Sequence, residues 1–95
     1  MKFLESYGIT KEEIKEFENN TADVMLETIM TNKKLVKTNI QYLVDLGVKN
    51  LYEIFSNYYE LFLIDHSNFE SIFNKYDRED LIEKLVKNVA IIEYL

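Results

Sequence analysis

Apolar residues recur at three- and four-residue intervals along most of this chain, the spacing of one buried face on an α-helix. The clearest stretch is 33–46. Leu35, Val36, Ile40, Leu43 and Leu46 fall on one side of it, and Lys34, Lys37, Gln41 and Asp45 on the other. Shorter stretches repeat the pattern. Phe3, Leu4 and Tyr7 predict a helix over 2–7, and Ile14 and Phe17 one over 11–19. Ala22, Val24, Met25, Leu26 and Ile29 predict a third over 22–31, and Leu51, Ile54, Phe55, Tyr58 and Tyr59 another over 51–59. Leu61 to Ile64 reads as a short helical piece or a single 3₁₀ turn. Phe69, Ile72, Phe73 and Tyr76 predict a helix over 68–76, with a last helix over 78–94. The end of that helix, 89–95, is apolar almost all round, so something has to cover it.

The polar residues between these stretches read as helix punctuation. The only two glycines, Gly8 and Gly47, each come after an apolar helical pattern and precede a β-branched residue, Ile9 or Val48. Glycine takes the left-handed conformation that ends many helices, and the next apolar residue packs back on the last turn. Thr10 and Glu13 then have capping-box spacing, with Ile9 and Ile14 flanking them as a hydrophobic staple. Asn50 and Glu53, and again Ser67 and Glu70, repeat the spacing. Thr21 and Asn32 stand where caps are expected, and Asp77 with Asp80 marks the last helix start. The phrase from Leu4 to Ile14 is therefore written again from Leu43 to Ile54, with the glycines 39 positions apart and one extra residue after the second. A period of this length points to stacked helical hairpins. The expectation is an all-α fold of six or seven short helices in one domain, 1–95, with repeat-like halves about 4–42 and 43–95.

The second phrase, together with the segments after it, resembles a repeat of the mitochondrial transcription termination factor family. Leu43 to Val48, Glu53-Ile54-Phe55, Leu61-Phe62-Leu63 and Ser67 to Ile72 occupy the layout of a leucine-rich helix ending in a Leu-Gly-Val turn, a short capped helix, an apolar piece and a further capped helix. Residues 4–46 fit the layout more loosely. The resemblance implies a stack of short helices at right angles. Two departures stand out: the proline typical of that family before the apolar piece is missing, and its nucleic-acid surface is basic where this chain is acidic.

Composition narrows the picture. There is no proline, which suits helices, and no cysteine, which removes disulfides and thiolate metal sites and fits a cytoplasmic location. No apolar run exceeds four residues, so no membrane span or signal-peptide core is expected. The net charge of −6 disfavours general affinity for nucleic acid or an anionic membrane. Charge is uneven, however. Residues 32–50 carry four positive charges and one negative, and form the single basic island: Lys33, Lys34, Lys37 and Lys49.

Candidate chemistry is sparse. His66, the only histidine, lies beside Asp65 in the expected turn before Ser67, with no second histidine or cysteine to complete a zinc site or a triad. Glu12, Glu13, Glu16 and Glu18 read as a solvated helix face near an N-terminus that favours acids. Eight aromatics between Tyr52 and Tyr76 read mostly as core, with Tyr58 and Tyr59 the pair expected to be partly exposed. No phosphate loop or nucleophile motif is present. The expectation is a non-enzymatic interaction module without cofactor, catalytic residues or metal ligands. It would bind a protein partner or itself through Ile91, Tyr94, Leu95, Tyr58 and Tyr59. Nucleic-acid binding through Lys33, Lys34 and Lys37, aided by Thr38, Asn39 and Gln41, is the competing expectation.

Overall fold

A computed structural model describes all residues 1–95. The glycine stops organise it. Both glycines have left-handed backbones, with φ of +86° at Gly8 and +98° at Gly47. Around Gly47 the turn is a complete Schellman motif: the Gly47 N–H donates to Val44 O at 3.0 Å and the Val48 N–H to Leu43 O at 3.2 Å. Gly8 makes a single bond, from its N–H to Glu5 O at 3.1 Å. The difference arises from the rods they end, because the first is a 3₁₀ segment with tighter bonding.

The elements in chain order are η1 (Lys2–Tyr7), α1 (Lys11–Asn20), α2 (Asp23–Thr31), α3 (Lys33–Leu46), α4 (Leu51–Tyr58), η2 (Tyr59–Leu63), α5 (His66–Phe73), α6 (Arg78–Lys87) and η3 (Val89–Tyr94). Six are α-helices, three are 3₁₀ segments, and there is no strand, so the chain is all-α. No helix is long and apolar enough to cross a membrane. The radius of gyration of 12.8 Å matches a tightly packed chain of this length, for which about 12–13 Å is expected.

Helix α3 is the central rod. It packs on η1, α2, η2 and α5, burying Val36, Ile40 and Leu43 completely. The aromatic residues join the remaining elements. Phe17 of α1, Phe55 of α4, Phe62 of η2, and Phe69 and Phe73 of α5 form a continuous row, with successive ring centroids 5.1, 5.1, 5.3 and 5.1 Å apart. Tilted or edge-on contacts of this kind each contribute about 0.5–1.5 kcal/mol beyond the area they bury.

One buried side chain is polar. Asn39 is fully enclosed on α3, donating from Nδ2 to Phe62 O at 2.9 Å and to Ile64 O at 3.1 Å. These carbonyls lie at the end of η2, where the backbone leaves its own hydrogen-bonding pattern. Asn39 Oδ1 then meets His66 Nδ1 at 2.8 Å. Both amide hydrogens are committed to carbonyls, so Oδ1 is the acceptor and His66 carries its proton on Nδ1. The expectation that Asn39 assists a phosphate-binding face is therefore corrected: it lies among Val36, Ile40 and Leu43 on the inward stripe.

The helix boundaries differ from the sequence reading at several caps. The Thr10–Glu13 box forms, with bonds of 3.0 and 3.1 Å. Asp77 likewise caps α6 through Asp80 N. Thr21 caps nothing; Ala22 is the N-cap of α2, without a side-chain bond, and Ala22 and Val24 face solvent. Asn32 donates back to Thr28 O rather than capping α3. Asn50 also turns its amide away from the free N–H groups of its own helix, donating to Leu85 O at 2.9 Å and Glu53 Oε1 at 2.7 Å. It thereby ties the start of α4 to the end of α6. Asp65 rather than Ser67 caps α5, so that helix starts at His66 and ends at Phe73, and Tyr76 is exposed beyond it. The acceptor two residues earlier wins because its carboxylate reaches both the Ser67 N–H and hydroxyl. Those bonds hold the Asp65 carboxyl below its usual range.

The last helix is two elements. Asn88 is extended, with φ −157° and ψ 98°, and its side chain accepts from Ala90 N to restart the chain as η3. This break folds the apolar end back, so Ile92 is buried and Val89, Ile91 and Leu95 pack partly against the core.

These features set the expected stability losses of three substitutions. Gly8→Ala and Gly47→Ala should each cost about 1–2 kcal/mol in urea unfolding, because each φ is unfavourable for a residue with a Cβ. Space is not the obstacle: a Cβ on Gly8 would meet nothing within 4 Å, and one on Gly47 would sit 3.4 Å from Arg78 Nη2. Asn39→Ala should cost about 2–4 kcal/mol by stranding two carbonyls and the His66 N–H; a loss under about 1 kcal/mol would show that η2 does not depend on this amide.

Candidate functional site

The two glycine turns, distant in sequence, line one cleft. Tyr7, Ile9 and Glu13 from the first turn face Val44, Val48, Tyr52 and Glu53 from the second, around an open volume of about 470 Å³. Local chemistry and tertiary packing together produce this arrangement. Each turn is fixed by its glycine and the polar group just after it. The two are brought side by side because α1 and α4 pack through Phe17 and Phe55 and because the Tyr52 hydroxyl donates to Glu16 Oε1 at 2.7 Å. The floor is apolar, with Ile9 and Leu51 buried beneath it, while Val44 in the wall is 39% exposed.

The rim is rich in acceptors. Glu13 Oε1 accepts from Thr10 N, Glu16 from Tyr52 and Glu53 from the Asn50 amide, all neutral donors. None of these carboxylates is within 4.0 Å of a cationic group. Lys49 also lines the cleft, as its one positive charge. Partial burial, the Glu16 hydrogen bond, and the charges of Glu16 and Glu13 push the Tyr52 phenol up to about 12.

The basic island is divided. Lys33, Lys34 and Lys37 are exposed along the first half of α3, whereas Lys49 lies past its far end, about 20 Å along a rod of that length. Lys37 borders a second, shallower cleft with Tyr7, Thr38, Gln41, Tyr42, Asp45 and His66. There His66 Nε2 lies 3.6 Å from Glu70 Oε2. Partial burial first, and then the charge of Glu70, raise the Tyr42 phenol above its usual value. His66 and Glu70 are the closest approach to a metal-binding pair, and no group of three or more suitable side chains converges anywhere in the chain. The glutamates of α1 are dispersed in the same way. Glu13 serves the cap, Glu16 holds Tyr52, Glu18 meets the amino terminus at 3.3 Å, and Glu12 is solvated.

The apolar candidates are partly joined. The Tyr58 hydroxyl donates to Glu93 Oε2 at 2.7 Å, placing the end of α4 against η3, and this bond is the main cause of a raised Tyr58 phenol. Tyr59 turns inward, edge-on to Phe17 at 5.5 Å. Ile91 and Leu95 are half-buried, and Tyr94 alone projects, 87% exposed. The cleft between the turns was not anticipated from sequence. Its only sequence signal is the repeated phrase, since equivalent joints in stacked hairpins lie next to each other.

No family model, curated protein or solved structure matches the chain.

The raised phenols make the fold less stable in alkali. A phenol whose value is higher folded than unfolded favours the protonated folded state. That stability is complete below the ordinary value of 10.0 and is lost as pH climbs toward about 12. Urea midpoints should therefore fall through this window. Tyr52→Phe should make the fall shallower, leaving the shares of Tyr42 and Tyr58; an unchanged slope would show that Tyr52 titrates normally.

Proposed function

We propose that this chain is a non-enzymatic helical module that binds a protein partner, and that the cleft between its two glycine turns is the binding surface. The observation that carries the reading is the concave, apolar-floored cleft at the meeting of two similar joints, with Val44 and Val48 incompletely covered in its wall. Apolar concavities with a polar rim are the usual form of a site that receives a side chain or helix edge from another protein. A helical-repeat ancestry of the mitochondrial transcription termination factor kind would supply such a scaffold, here with an acidic surface. Tyr94, exposed near the Tyr58–Glu93 bond, offers a second contact.

Nucleic-acid binding through α3 has one observation in its favour: Lys33, Lys34 and Lys37 are exposed and enter none of the four ion pairs. Three lysines neutralise at most three phosphates and leave a weak, salt-sensitive attraction.

Immobilised wild type should retain a partner from its native cell extract that Val44→Glu/Val48→Glu does not, with both proteins equally folded by circular dichroism. Identical retention by the two would refute the cleft as the binding surface. In a low-salt gel shift, wild type and Lys33→Glu/Lys34→Glu/Lys37→Glu should leave a nucleic-acid probe equally mobile; retardation by wild type alone would favour the lysine face instead.

A further inference from the structure

We propose that the cleft between the glycine turns receives a cationic amphipathic segment of a protein partner, an arginine or lysine flanked by apolar residues. This rests on the binding-module reading above and gives the partner its chemistry. The argument is one of complementarity. Two carboxylates, Glu13 and Glu53, line the cleft against one lysine, Lys49, and a third, Glu16, accepts from the lining residue Tyr52. The donors that hold these carboxylates are the Thr10 N–H for Glu13, the Tyr52 hydroxyl for Glu16 and the Asn50 amide for Glu53. Each donor is neutral, so the negative charge is solvated or hydrogen-bonded but not neutralised. Carboxylates without a cationic partner beside an apolar floor fit a side chain with an apolar stem and a cationic head. Arginine and lysine have that form, their stems lying on apolar surface while their heads reach polar groups.

The field also selects among occupants. An anionic surface or nucleic acid would meet the carboxylates of Glu13 and Glu53, which no cation pairs. A second copy of this chain brings the same net charge of −6, so the whole molecule repels it. A foreign basic segment gains electrostatic attraction from the whole molecule as well as from the cleft.

The test is amide chemical-shift titration of the full chain with two capped synthetic peptides, one of leucine and arginine at helical spacing and one of leucine and glutamate. The basic peptide should move the amides of Gly8, Ile9 and 47–53, and the effect should weaken with salt. Glu13→Gln/Glu53→Gln should bind it about five- to tenfold more weakly, the size expected for two partly exposed charges. Glutamine keeps both the capping box and the acceptor for Asn50, so this variant should fold normally. Glu27→Gln/Glu79→Gln, with the same change in net charge elsewhere, should bind as wild type. The proposal is overturned if the basic peptide leaves those amides unmoved, if both peptides move them equally, or if the two double variants weaken binding alike. It is also overturned if the mass in solution grows with concentration and Glu13→Gln/Glu53→Gln abolishes that growth, since the chain's own lysine face would then be the occupant. If the basic peptide fails while Val44→Glu/Val48→Glu still releases a captured partner, the module reading stands and only the cationic chemistry falls.

Discussion

The side-chain amide of Asn39 is the constraint on which the packing of the second half depends. It is the one buried polar side chain, and all its hydrogen-bonding capacity for donation is used on the backbone at the end of η2. An amide enclosed without partners would cost several kcal/mol, so the surrounding elements have a single low-energy arrangement. In that arrangement η2 is pinned across α3 at one register. His66 then receives a fixed proton position on Nδ1 and starts α5, which places Phe69 and Phe73 under the rod. Apolar packing alone would allow η2 to slide, because Leu61, Phe62 and Leu63 are near-equivalent in hydrophobicity. The amide distinguishes among them.

The aromatic row supplies the complementary, less directional part. It runs from α1 through α4 and η2 to α5, so elements far apart in sequence share one continuous core. Helices of eight to ten residues are marginal alone. Their stability here comes from burying one aromatic or aliphatic edge each, with caps to satisfy the free backbone groups. Where a cap residue has a better partner elsewhere, as with Asn50 and Leu85 O, it leaves its own helix and joins two elements instead.

The proposed binding surface is built by the same geometry. The chain's charges are distributed so that exposed lysines cluster on α3 while carboxylates border the cleft, and the two surfaces face different surroundings. Neutral hydrogen-bond donors position the carboxylates of the rim, which leaves their charge unneutralised. A cap such as Thr10–Glu13 therefore serves two purposes: it starts α1 and it holds a negative charge at the cleft.

The linear sequence by itself determined the all-α class, the two left-handed stops at Gly8 and Gly47, the 33–46 rod, the Thr10–Glu13 and Asp77 caps and most of the core. These depend on spacing and on neighbours within one or two turns, and periodicity records both. The tertiary structure alone decided which acceptor caps α5, where the last helix breaks at Asn88, that Asn39 is buried and that the two turns share a cleft. In each case more than one local solution was open, and the path of the chain across its neighbours chose between them. The sequence shows that the phrase is written twice. Only the packing of Phe17 on Phe55, and the bond from Tyr52 to Glu16, makes the two copies face each other, because relative placement is set by contacts between rods and not by the residues that end them.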